Sequence, residues 1–161
     1  MKRNILLILI ALLPMVASAY DVEIDEIDGI CYNFSENKAE VTSGGAKYSG
    51  DVVIPSSVTY NGTTYTVTSI GEEAFVDCEA LTSVTIPKGV TNIAKDAFQN
   101  CFSLTDVYCF AKDIPETMSD PIVGTFKDTP IEKATLHVPA ASVGKYKATS
   151  PWSRFGKIVA K

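Results

Sequence analysis

Apolar and polar residues alternate in short runs along most of the chain, and turn residues punctuate the runs. Val84 and Ile86 alternate with Ser83 and Thr85, and Pro87 closes the run. Period two predicts a half-buried strand near 82–86, with Val84 and Ile86 facing in and Ser83 and Thr85 facing out. It stops at Pro87, which has no N–H to give to a ladder. A like strand is predicted near 105–109. Residues 72–75 and 95–98 each suit one helical or 3₁₀ turn. Asn61-Gly62 predicts a tight hairpin joining 58–60 to 63–67, because both residues tolerate positive φ. A second hairpin is expected from 29–34 and 39–42 around Glu36-Asn37-Lys38. Near the end, 142–148 reads as a short helix with Val143 and Tyr146 on one side, stopped at Ser150-Pro151. Trp152 and Phe155 are then placed to cover a last apolar layer rather than a sugar ring, with Ile158 and Val159 in a closing strand.

The pattern repeats. Residues 70–87 and 93–110 align at a constant offset of 23, with seven of 18 positions identical: Ile70/Ile93, Ala74/Ala97, Phe75/Phe98, Cys78/Cys101, Leu81/Leu104, Thr82/Thr105 and Val84/Val107. A weaker copy starts at Phe126-Lys127-Asp128 and ends at Leu136-His137-Val138-Pro139. A half copy, Val52-Val53-Ile54-Pro55, precedes them all. One such unit cannot bury its own apolar face, so units stack and like residues pack on one another. The predicted fold is a short leucine-rich repeat solenoid, β-rich α+β. It has about two full 23-residue repeats plus partial copies, a β-hairpin cap at the amino end and a helix-and-strand cap at the carboxyl end.

The stretch IGEEAFVDCEALTSVTIP resembles the repeat of BspA-like leucine-rich repeat proteins of bacterial surfaces, roughly I-G-x-x-A-F-x-x-C-x-x-L-x-x-V-x-I-P. The lead-in YSGDVVIPSSVTYNGTTYTVTSIG and the tail ATLHVPAASVGKYKATSPWSRFGKIV resemble that family's flanks. The resemblance covers most of 48–159 and implies a scaffold used in adhesion to host matrix proteins and in aggregation between cells. Two departures stand out. Cys109 and Phe110 replace Ile86 and Pro87, and an insert over 111–124, with Pro115 and Pro121, separates the second copy from the third.

The expected organisation is a signal peptide at 1–19, amino-terminal strands and hairpin cap at 20–68, a repeat core at 69–139 and a carboxyl-terminal cap at 140–161. Lys2 and Arg3 precede the apolar run 5–13, and Ala17-Ser18-Ala19 supplies a cleavage site. Removal of the leader leaves 12 basic against 19 acidic residues, a net charge of −7. That balance opposes nucleic acid and anionic membrane surfaces. No second apolar run is long enough to span a bilayer, so no membrane insertion is expected after cleavage. Tyr20, not a cysteine, immediately follows Ala19, so lipidation there is not indicated. Periplasm, cell surface and medium all fit an exported chain.

Catalytic chemistry is not indicated. His137 is the one histidine, and no Walker loop, G-x-G-x-x-G, H-E-x-x-H or C-x-x-C is present. The four cysteines lack the close pairs of a zinc site, and the acids of 21–25 lack a calcium-loop pattern. No cofactor is expected. Cys78, Cys101 and Cys109 fall in core slots and are expected as free thiols, since stacked side chains stay too far apart for ordinary disulfide geometry. Cys31 sits on a strand outside the array, and its pairing with any of the others is open. The triplets Asn33-Phe34-Ser35 and Asn61-Gly62-Thr63 match a glycosylation sequon, the second being explained by its turn.

Stacking turns equivalent outward positions into columns. One runs Val53, Thr85, Tyr108, His137, and its neighbour holds Ser83, Asp106 and Thr135. This wall is the first candidate for binding a partner protein, with the 111–124 segment second. A carbohydrate-binding module would need a row of exposed aromatics, and the columns offer only Tyr108. A purely structural envelope component is the remaining alternative.

Overall fold

The structure, a computed structural model, describes residues 25–120 and 124–161. The expected leader over 1–19, most of the acidic alternation at 21–25 and Pro121 lie outside the described residues.

The strands are β1 (Asp25–Ile27), β2 (Ile30–Ser35), β3 (Lys38–Thr42), β4 (Gly50–Val53), β5 (Ser57–Tyr60), β6 (Thr63–Ile70), β7 (Leu81–Ile86), β8 (Asn92–Ile93), β9 (Asp106–Cys109), β10 (Glu116–Thr117), β11 (Thr135–Val138) and β12 (Lys157–Ala160). One helix, α1 (Val143–Ala148), follows a single 3₁₀ turn at Ala140–Ser142. The front wall is a parallel sheet in the order β12-β11-β9-β7-β4. Its register pairs Val52, Val84, Val107, Leu136 and Ile158 rung by rung. Val84, Val107 and Leu136 are fully buried, whereas Ser83, Thr85 and Tyr108 are part-exposed, so the period-two reading holds. A second sheet runs β1-β2-β3-β6-β8-β10, with β5 folded against β6. Its rungs at Ile70 and Ile93 belong to the repeat, but two-residue strands are too short to announce themselves by alternation.

The third side departs from expectation. Residues 72–77 and 95–100 are not helical; they are successive turns. Glu73, Asp77, Asp96 and Asn100 take left-handed φ of 53–59°. The N–H groups of Ala74, Val76 and Cys78 bond within the turn, to Gly71, Glu73 and Phe75. Those of Glu73, Phe75 and Asp77 point instead to the next coil, at Lys95, Ala97 and Gln99 (3.2, 2.7 and 2.9 Å). A helix would spend every N–H on its own coil; alternation of turn and left-handed residue frees half of them to tie coils together.

Inside these walls like residues stack. Phe75 and Phe98 lie 4.9 Å apart and nearly parallel, and Phe126 follows at 5.4 Å. The cysteine slot has a role that composition does not reveal. The Cys101 thiol donates to the Phe75 carbonyl of the preceding coil at 3.2 Å. One coil on, Thr129 fills the slot; its hydroxyl donates to the Phe98 carbonyl and accepts from the Cys101 N–H at 3.0 Å. All four cysteines are free and buried. Burial pushes the Cys101 thiol up to about 12, and raises those of Cys78 and Cys109. Thiolate is the reactive form. Ellman's reagent at mildly alkaline pH is therefore expected to find Cys78, Cys101 and Cys109 silent in the folded protein. All four thiols should appear on denaturation without reductant; fewer than four would reveal a disulfide.

At the amino end β1, β2 and β3 form an antiparallel meander, and β5–β6 turns at Asn61 (φ 47°) and Gly62 (φ 78°). At the carboxyl end Tyr146 and Trp152 are fully buried and Phe155 nearly so. Trp152 and Phe155 meet Phe126 edge-on at 5.5 and 5.4 Å. The 111–124 segment is corrected in part. It is not one insert: β10 within it pairs with β8, Ala111 and Pro115 are buried, and Ile114 packs on the core. Up to Thr117 it is the far half of the second coil, offset from the first by 24 instead of 23, and the extra residues fall between Thr117 and Gly124.

Candidate functional site

Strands β4, β7, β9, β11 and β12 each send alternate side chains out of the front wall. The cross-strand register joins Val53–Thr85–Tyr108–His137 in one column, as the alignment of the copies predicts, and β12 adds Val159. The second column is Asp51–Ser83–Asp106–Thr135–Lys157. Every candidate residue thus lies on one surface, in two adjacent rows.

The centre of that surface is organised. The rings of Tyr108 and His137 stack at 4.3 Å with 14° between planes. Parallel rungs about 4.8 Å apart bring equivalent rings to stacking distance without strain. His137 Nε2 lies 2.8 Å from Asp106 Oδ1, a diagonal contact between the two columns. The Lys161 ammonium sits 4.8 Å from the Tyr108 ring centre, a cation–π contact. One rung outward, Asp51 Oδ1 accepts from the Ser83 hydroxyl at 2.8 Å and from Thr82 at 3.0 Å. Asp106 is held below the usual carboxylate range, chiefly by its hydrogen bond with His137 and also by one with Thr105.

A depressed carboxyl contributes stability above its unfolded pKa, about 3.9, and loses it as pH falls through the lower folded value. The melting-temperature gap between wild type and Asp106→Asn is therefore expected to be positive near neutrality. It should shrink to nothing in strong acid, where both carry an uncharged side chain; a gap that grows on acidification would contradict the assignment.

Sequence reasoning missed four members of this wall. Asp51 and Lys157 extend the second column, and Val159 ends the first. Asp51 could have been reached by counting one residue back from the half copy. Lys161 had no signal, because its contact with Tyr108 depends on β12 returning beside β11. Tyr108 is the single aromatic anchor of the columns. Among the described residues no group of three or more His, Cys, Asp or Glu side chains could hold a metal. No helix there is long and apolar enough to cross a membrane.

Several solved structures are similar to the chain. A leucine-rich repeat protein from Bacteroides capillosus is 22% identical, with 86% of this chain and 98% of that one covered and a TM-score of 0.49. A leucine rich cell surface protein from Faecalibacterium prausnitzii is also 22% identical over 86% of this chain, with a TM-score of 0.48, and the match spans 30% of its length. The pneumococcal vaccine antigen PcpA is 18% identical over 87% of this chain and 38% of its own, with a TM-score of 0.42. No curated protein matches the chain in sequence. The family model described as "BspA type Leucine rich repeat region (6 copies)" matches residues 55–146, more than half of the chain. With its coils stacked in register and its Ile, Phe, Cys, Leu and Val slots in place, the chain belongs to the BspA-type leucine-rich repeat family.

Proposed function

We propose that this protein is an exported, non-enzymatic protein-interaction module that binds its partner on the front wall, in an adhesion-type role. The observation that carries the reading is the built centre of that wall: Tyr108, stacked on His137 and beside Lys161, with Asp106 bonded to the histidine. Tyrosine is enriched in interaction hot spots, and here it stands on a hydrogen-bonded sheet with polar and charged residues around it, as a polar rim surrounds an anchor. Val53, Ser83, Thr85 and Thr135 form its surround. On this reading 1–19 directs export, the strands of 20–68 and the helix and strand of 140–161 cap the repeat core 69–139, and the mature protein acts at the cell surface or in the medium.

A pull-down against host matrix and surface proteins tests it, with wild type beside a Tyr108→Ala/His137→Ala variant. Both residues are part-exposed, so the variant should keep its circular dichroism spectrum and melt as a folded protein. The expected result is a partner retained by wild type and reduced at least about tenfold by the variant, the size of a hot-spot loss. Equal retention would remove the wall from consideration. Saturable binding to a glycan array, lost with Tyr108→Ala, would instead favour a carbohydrate module.

A further inference from the structure

The two ends of the front wall are complementary. The column Asp51–Ser83–Asp106–Thr135–Lys157 opens on a carboxylate at β4 and closes on an ammonium at β12. The neighbouring column opens on Val53, 66% exposed, and closes on Val159, 36% exposed. Even the inward row is unfinished: Val52 and Ile158 are only half-buried, whereas the three residues between them are sealed. Among the described residues both end strands pair on one side only. Gly50 and Ile54 give their N–H groups toward β7, so those of Asp51 and Val53 aim outward from the sheet. Lys157 and Lys161 give theirs toward β11, so those of Ile158 and Ala160 aim outward. Such an edge is a template for a further strand.

We propose that the β12 edge of one molecule pairs in parallel with the β4 edge of a second copy, head to tail. The junction continues the internal register: Lys157 faces Asp51, Ile158 faces Val52 and Val159 faces Val53. A cleft of about 240 Å³ beside Val52, lined in part by Glu26, Cys31, Ala46 and Tyr48, gives the incoming Ile158 side chain a place. Two β12 edges meeting as a closed antiparallel pair would set Lys157 of one copy near Lys161 of the other, which like charge disfavours. Because the joined ends differ, the contact is heterologous and leaves a free end of each kind, so growth is linear. The junction is short and the acidic chain repels itself, so assembly is weak and needs high concentration. Each added copy lengthens both outward columns.

Sedimentation velocity of the purified chain from roughly 10 μM to 1 mM, the range of weak affinities, tests this. Wild type is expected to show a sedimentation coefficient that climbs steadily with concentration. Lys157→Asp and Asp51→Lys should each push that climb to at least about tenfold higher concentration, because each sets like charges across the junction. Ala160→Pro should do the same by removing a donor that β11 does not use. Mixing Lys157→Asp with Asp51→Lys should restore assembly, as should the double variant that exchanges the two charges. Circular dichroism confirms that each exposed-site variant folds. The proposal is overturned if wild type stays monomeric throughout, if it stops at a closed dimer, or if the single charge reversals leave assembly unchanged.

Discussion

Val107→Asp is expected to abolish the folded state, while Thr85→Asp, one strand away, leaves it nearly untouched. Val107 is fully buried in the middle of the inward row, between Val84 and Leu136. Burying an unpaired charge costs several kcal/mol even when the group protonates to escape it. A domain of this size holds roughly 5–15 kcal/mol in total, so one such insult consumes most of it. Thr85 points the other way and is part-exposed. Aspartate there keeps its water, and the change should stay within about 1 kcal/mol. Thermal melts followed by near-ultraviolet circular dichroism separate the two variants. A Val107→Asp protein that melts like the parent would mean that the row does not face inward.

Phe98→Ala is the second large effect. Phe98 is fully buried, with a ring on either side at 4.9 and 5.4 Å. Its neighbours are fixed by backbone bonds between coils, from the Phe75 N–H to Ala97 and from the Phe98 N–H to Thr125. They cannot close in on the vacated space. The cost should therefore sit in the upper part of the usual range for a buried aromatic, about 3–5 kcal/mol. In urea this appears as a lower midpoint with an unchanged slope. Trimming Phe102 to alanine is the control, since it is 54% exposed and outside the stack. A Phe98→Ala midpoint no lower than that of the control would show that the stack does not carry the fold.

The front wall was legible because a gapless offset of 23 fixes which side chains become neighbours before any coordinate is known. That offset joins Thr85 to Tyr108, and the sequence match of the half copy and of the third copy puts Val53 and His137 in the same column. A one-residue slip would have turned every member to the other face, so the pattern had no freedom to mislead. The side built from turns was not legible. Glu73 adopts left-handed backbone, freeing donors for the next coil, and glutamate does not advertise that conformation as glycine would. The 111–124 segment was misread because β10 has only two residues, and its pairing with β8 shifts the offset by one. The stacked rings and the pair of Asp106 with His137 lie between legible and hidden. Their columns were predictable, whereas the diagonal bond and the Lys161 contact depend on side-chain reach.

Thr129 sits where the two earlier copies have sulfur, and it hands a hydrogen to the coil before it just as Cys101 does. The lattice at this corner therefore asks for a small donor and not for a thiol as such. A version of the protein with threonine at position 101 should keep the bond while giving oxidants one less target. If Cys31, Cys78 and Cys109 can be exchanged as well, a lone new cysteine on the outer surface could carry a fluorophore or a tether, turning the scaffold into a labelled reporter of whatever it meets.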